Sequence, residues 1–131
     1  MAGIALLAVD AANVVGSRPD GWWRDRPAAA RRLRDRLDRL GETGLSGLPP
    51  PIEVVLVVEG AARDIEDVPG VRVVRTRRSG DDALVDLVRE ATAEGRRCVV
   101  VTADRELRDR VRGLGADVHG PAWLLDQLPD R

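Results

Sequence analysis

Ile4-Ala5-Leu6-Leu7-Ala8-Val9-Asp10 opens the chain with an unbroken apolar run and closes it with an acid. The run has no polar alternation. A strand with one wet face would alternate, so this one is predicted to be buried on both faces, as in a parallel sheet covered by helices on each side. The theme returns at Ile52–Val58 (IEVVLVV), Val71–Val74 (VRVV) and Cys98–Val101 (CVVV), with Asp117–His119 as a short fifth strand. β-Branched residues dominate most of these runs, as a pleated surface favours.

Helix-period segments lie between the strands. Ala30, Leu33, Leu37 and Leu40 recur at spacings of three and four, opposite a face carrying Arg31, Arg32, Asp35, Arg36 and Asp38. Asp25 is placed to cap this helix and Pro27 fits its first turn. A second helix is predicted from about Asp81, burying Leu84, Leu87, Val88 and Ala91 and stopping at Gly95. Ser79 and Asp82 are spaced like a capping box, with Asp in place of the usual Glu. A third runs from about Arg105 to Arg112 over Leu107 and Val111. A last one begins near Pro121 and buries Ala122, Leu125 and Leu128. Strands alternating with helices imply a three-layer α/β domain with a mainly parallel sheet. Gly41–Pro51 (GETGLSGLPPP) reads as a surface loop, since neither side could fold alone, so residues 1–131 form a single domain.

With 131 residues, the chain is long enough to bury roughly two-thirds of its unfolded surface. Apolar residues make up 44%, charged residues 33%, and the net charge is −1, a globular composition. Cys98 is the sole cysteine and His119 the sole histidine, which excludes an intrachain disulfide, Cys-based zinc sites and HExxH proteases. All 21 basic residues are arginine. The absence of lysine excludes a P-loop lysine and Schiff-base chemistry. No run approaches ~18 consecutive apolar residues, so no membrane-spanning helix is expected. Met1–Val9 lacks a basic flank and reads as a strand, not a signal peptide, which makes the cytoplasm the expected location.

Acids stand just past the predicted strand ends: Asp10 after the first, Glu59 after the second, Asp81 and Asp82 after the third, Asp104 after the fourth. Open α/β sheets bind ligands outside the carboxyl ends of their strands, above all where the strand order reverses. If the first and fourth strands flank that reversal, Asp10 and Asp104 sit side by side, with Asp81 at a neighbouring helix start. Clustered carboxylates suit a hard divalent cation such as Mg²⁺. Such a cation can activate water against a phosphodiester without the histidine, lysine or cysteine in which the chain is so poor. The competing role is helix capping, which serves Asp81, Asp82 and Asp104 equally well. It serves Asp10 less well, because Ala11 and Ala12 open no evident helix.

Val9-Asp10-Ala11-Ala12-Asn13-Val14-Val15-Gly16 resembles the opening motif of NYN domains, a branch of the PIN-like nuclease superfamily. Ser79-Gly80-Asp81-Asp82-Ala83-Leu84 resembles that family's acidic helix start. Val101-Thr102-Ala103-Asp104-Arg105-Glu106-Leu107 resembles its later T-x-D motif, and Gly115–Trp123 its closing strand and helix. The likeness spans nearly the whole chain in order, and its nearest branch is the YacP-like NYN proteins. It implies a PIN-like five-stranded sheet of order 3-2-1-4-5 and a Mg²⁺- or Mn²⁺-dependent endoribonuclease. Carried over, Asp10, Asp81 and Asp104 become catalytic metal ligands, with Asp82 an alternative to Asp81, and Asn13 a supporting or substrate contact. Ala11 stands where the family commonly has glycine.

Trp22 and Trp23 follow a loop near the Asp10 end. Either could stack an unpaired base or pack into the core. Arg77 and Arg78, on the loop into Asp81, are the arginines best placed for RNA phosphate, whereas Arg72 points outward on a strand and is structural. Glu59 is either an outer acid of the site or an arginine's salt-bridge partner. His119 reads as a strand-end residue, Trp123 as core, and Cys98 as a small hydrophobe. The leading expectation is thus a metal-dependent endoribonuclease acting on RNA. The alternatives are a catalytically weak RNA- or partner-binding module of the same fold, and a nucleotide phosphohydrolase. The last is disfavoured by the lack of a DxDxT motif or a Gly-rich phosphate loop.

Overall fold

The computed structural model describes residues 3–60, 64–77 and 79–129. Five strands, β1 (Ala5–Asp10), β2 (Ile52–Glu59), β3 (Arg72–Thr76), β4 (Cys98–Val101) and β5 (Asp117–His119), form one sheet of order β3-β2-β1-β4-β5. Every neighbouring pair is parallel, so all carboxyl ends lie on one edge. The helices are α1 (Ala11–Gly16), α2 (Arg26–Leu37), α3 (Leu40–Thr43), α4 (Gly80–Ala93), α5 (Arg105–Arg112) and α6 (Pro121–Leu125). None of the described helices is long and apolar enough to cross a membrane.

Successive residues of a strand point to opposite faces, and here both faces are covered. Leu7, Val9, Leu56, Val58 and Val101 pack with Val14, Ala30, Leu33, Leu37 and Leu124 of α1, α2 and α6. Leu6, Ala8, Val55, Val57 and Val100 pack with Leu84, Val88, Leu107 and Val111 of α4 and α5. The apolar runs are continuous because each strand feeds two cores.

Four segments differ from the sequence-based expectation, among them the last helix, which buries Leu124 and leaves Ala122 exposed. Ala11 and Ala12 do open a helix: the Asp10 carboxylate caps it by accepting from Asn13 N at 3.4 Å, and Ala11 and Val14 bury its inner side. The loop at 41–51 is partly ordered, with α3 at its start and an antiparallel bridge between Leu45 and Leu48. Trp22–Arg24 forms a single 3₁₀ turn leading into α2, whose cap is Asp25 as expected.

The turn before β3 presses against the end of α2. Gly70 N donates to Asp38 Oδ1 at 2.8 Å, and a Cβ at Gly70 would fall 1.7 Å from the Asp38 carbonyl oxygen. Backbone on both sides leaves no flexible atom to yield. Gly70→Ala is therefore expected to destabilise the fold by about 1–3 kcal/mol, read as a lower urea midpoint at unchanged m-value.

Candidate active site

The site follows from strand parity. Asp10 shares a face of β1 with Leu6 and Ala8, Glu59 a face of β2 with Val55 and Val57, and Thr102 extends β4 on the face of Cys98 and Val100. These residues belong to the core under α4 and α5. All three polar side chains therefore lean toward the amino ends of those two helices, where Asp81 and Asp104 begin. β1 pairs with β2 on one side and β4 on the other. The chain order reverses between β1 and β4, and at such a reversal an open α/β sheet leaves a crevice.

Asp10 is 5% exposed and Thr102 is fully buried. Asp10 Oδ2 accepts from Thr102 Oγ1 at 2.8 Å and from Asn13 Nδ2 at 2.7 Å. Thr102 Oγ1 in turn accepts from Asp104 N at 3.1 Å, so one hydroxyl joins the acids at the ends of β1 and β4. Asp104 caps α5 by accepting from Leu107 N at 3.0 Å. Glu59 accepts a short hydrogen bond from Gly80 N, the first residue of α4. A Cβ at Gly80 would stand 3.1 Å from Glu59 Oε2, so glycine gives the carboxylate room to reach that N–H.

Burial pushes the Asp10 carboxyl above its ordinary value. The bonds from Thr102 and Asn13 oppose that shift, and the charge of Glu59 adds to it. Asp81 is also raised, first by burial and then by the charges of Asp104, Asp10 and Glu59, with Arg110 pulling the other way. Asp81 thus feels the charges of the other three acids, and Asp10 that of Glu59, at one edge of the sheet.

Asp81 is half-buried and feels the charges of Asp104, Asp10 and Glu59, whereas Asp82 is exposed and paired with Arg110 of α5 at 3.1 Å. Asn13 lies against Asp10. Arg77 is exposed on the bend before α4, and Arg78 lies outside the described residues. Trp22 is half-buried, edge-on to the exposed Trp23 at 6.1 Å and 87° between the rings. Trp123 is also half-buried, stacked on His119 with ring centres 3.9 Å apart. Among the described residues Glu59 pairs with the α4 backbone and not with an arginine. Arg72 is an outward strand residue, 3.5 Å from Glu53.

Two contributors escape a reading of the sequence. Thr102 reads as a spacer between β4 and Asp104, although its place in T-x-D is a signal. Arg110 lies far along the chain from Asp82, and only the packing of α4 against α5 brings them together.

Among the described residues, no three acid, histidine or cysteine side chains already form a cage around one point. Mg²⁺, however, commonly binds with one or two carboxylates and completes its shell with water and phosphate oxygens. The donor set at this edge, all carboxylate, hydroxyl and amide oxygen, suits such an ion.

The sheet order and layering define a PIN-like α/β fold. The chain matches no family model and, by sequence, no curated protein. In structure it is similar to Rae1 (YacP) from Bacillus subtilis, with a TM-score of 0.73 and 18% identity over 94% of this chain and 72% of that one. A leucine-for-tryptophan variant of the same protein matches with a TM-score of 0.68 and 19% identity, over 92% of this chain and 72% of that one. At this identity the likeness is one of fold, and it falls on the branch that the sequence motifs resemble.

Two outcomes follow from the hydrogen-bond network. Thr102→Val removes a donor to buried Asp10 and the acceptor of Asp104 N at nearly constant volume. It should cost about 1–3 kcal/mol in urea unfolding. For Asp10 and Asp81 the native pKa exceeds the ordinary 3.8. Between 3.8 and the raised values the native state therefore binds more protons than the unfolded chain, and stability falls as pH rises through that window. In EDTA, wild type should lose stability relative to Asp10→Asn as pH is raised above about 4, measured by paired thermal melts.

Proposed function

We propose that this protein is a Mg²⁺- or Mn²⁺-dependent endoribonuclease that hydrolyses RNA phosphodiester bonds at the carboxyl edge of its sheet. One observation carries the reading: a buried carboxylate, Asp10, is held at the strand-order reversal, joined through Thr102 to Asp104 and with the charges of Glu59 and Asp81 beside it. Concentrated negative charge is costly in a free protein and useful to one that binds a cation. The NYN-like motifs and the structural likeness to YacP support the same reading.

Asp10, Asp81 and Asp104 would hold the ion, with Asp82 left to its pair with Arg110. A bound divalent ion supplies charge for a scissile phosphate and lowers the pKa of a coordinated water. The protein's own part is positioning. Thr102 and Asn13 fix Asp10 by two hydrogen bonds to one oxygen. The bond from Asp104 N to Thr102 ties the β4 end to that arrangement, and the Gly80 N–H holds Glu59 at the rim. Arg77, exposed on the approach to α4, is proposed to meet the phosphate backbone of the strand, and Arg78 is proposed for the same task from its sequence position.

Purified protein should cleave single-stranded RNA with Mn²⁺ or Mg²⁺ and stop on addition of EDTA. Asp10→Asn should abolish both the cleavage and the rise in melting temperature on adding Mn²⁺, since a ligand stabilises only the state that binds it. Cleavage that survives chelation, with contaminating ribonuclease excluded, overturns the metal-dependent mechanism. Metal-independent RNA binding without cleavage would favour the binding-module alternative.

A further inference from the structure

A cavity of about 380 Å³ opens beside the acidic edge. Its apolar wall is built from Ala11, Ala12, Val15 and Ala30, and Trp22 and Arg26, whose side chains end in planar groups, line it as well. Glu59 and Ser79 complete the side toward the carboxylates. Glu59 therefore belongs both to this cavity and to the field around Asp10 and Asp81.

We propose that this cavity receives one unpaired nucleobase of an RNA strand, so that the enzyme engages its substrate single-stranded next to the bond it cuts. The proposal rests on the RNA reading above and adds a specific subsite to it.

Four features select a base over other occupants. The Arg26 guanidinium carbon lies 5.5 Å from the centre of the Trp22 ring, and Trp23 braces that ring edge-on. The indole thus has a cation and a second ring against it before any ligand arrives, and contacts made in advance reduce the entropy lost on binding. Alanine at 11, 12 and 30 leaves a space that larger side chains would close, and a planar ring fits against an indole or guanidinium plane. Arg26 and Glu59 are the charged lining residues and cancel, so a neutral group is favoured over a phosphate. The polar atoms are also matched to a base edge: the Glu59 carboxylate can accept from ring or amino N–H, and Ser79 Oγ, which accepts from Asp81 N, still has its hydroxyl proton to donate. A base seated here leaves its own phosphate outside, at the rim that Glu59 shares with Asp10 and Asp81. Duplex RNA offers no free base face and would be excluded.

The test is binding in EDTA, where the proposed cleavage is silent. A labelled single-stranded RNA oligonucleotide, the same strand in a duplex, and AMP are titrated by fluorescence anisotropy or competition. The single strand should bind at least about tenfold more tightly than the duplex or AMP. Trp22→Ala should weaken single-strand binding by about tenfold or more, and Trp22→Phe should retain most of it. Ala12→Leu, an exposed position on the cavity wall, should reproduce the loss by filling the space, and it keeps the test decisive if removing the indole unfolds the loop. Single-strand affinity unchanged in both Trp22→Ala and Ala12→Leu, equal affinity for duplex, or full affinity for AMP alone each overturns the proposal. Trp22-dependent binding without metal-dependent cleavage would sink the nuclease reading and leave the base subsite standing. Cleavage with binding unchanged in both variants would do the reverse.

Discussion

Burial of one carboxylate at the end of the central strand is the constraint around which this edge of the protein is arranged. β1 lies between β2 and β4, so its last residue has no route to solvent along the sheet. An ionised group there loses most of its hydration and must be compensated by hydrogen bonds. Three donors supply them: Asn13 N, Asn13 Nδ2 and Thr102 Oγ1. Each has a structural consequence. The Asn13 contacts turn the chain into α1 straight after β1, and the Thr102 contact ties the end of β4 to the end of β1. The burial that raises Asp10's pKa and the bonds that restrain the rise come from this one arrangement.

The strands were legible because parallel sheets demand apolar residues on both faces, and IALLAV, IEVVLVV and CVVV satisfy that demand without help from context. The helices α2, α4 and α5 were legible from apolar spacing and from Asp25, Ser79 and Asp104 before them. The short α1 was not. Two alanines and an asparagine carry little periodic signal, and the helix exists because a strand-end carboxylate caps it and Val14 is buried beneath it. The sheet order came from family likeness, since apolar runs say which segments are strands and not which ones are neighbours. Within the candidate site, the acids at the strand ends are visible in the sequence, but the pairing of Asp82 with Arg110 is not, because only the packing of α4 against α5 brings them together.

Parity explains why acids from different strands reach the same place. Once the sheet is parallel and buried on both sides, a residue's face is set by counting from any core neighbour. Asp10 counts with Ala8, Glu59 with Val57 and Thr102 with Val100, and all three core residues lie under α4 and α5. Moving any of these polar residues by one position would send it to the opposite face, toward α1, α2 and α6. The cluster is therefore a property of register as much as of composition.

Capping and ligand binding are compatible roles for these acids. A carboxylate has two oxygens and about four acceptor sites, and a capping bond uses one of them. Asp104 Oδ1 accepts from Leu107 N at the start of α5, which fixes the side chain's orientation and spares its other oxygen. Asp81 stands in the first turn of α4, where the helix field favours negative charge while the neighbouring acids disfavour it. A cap thus positions an acid at the cost of one lone pair and leaves the remainder available. Helix starts at the carboxyl edge of a parallel sheet accordingly let the same residues order the fold and converge on a ligand, and an acid there need not be one or the other.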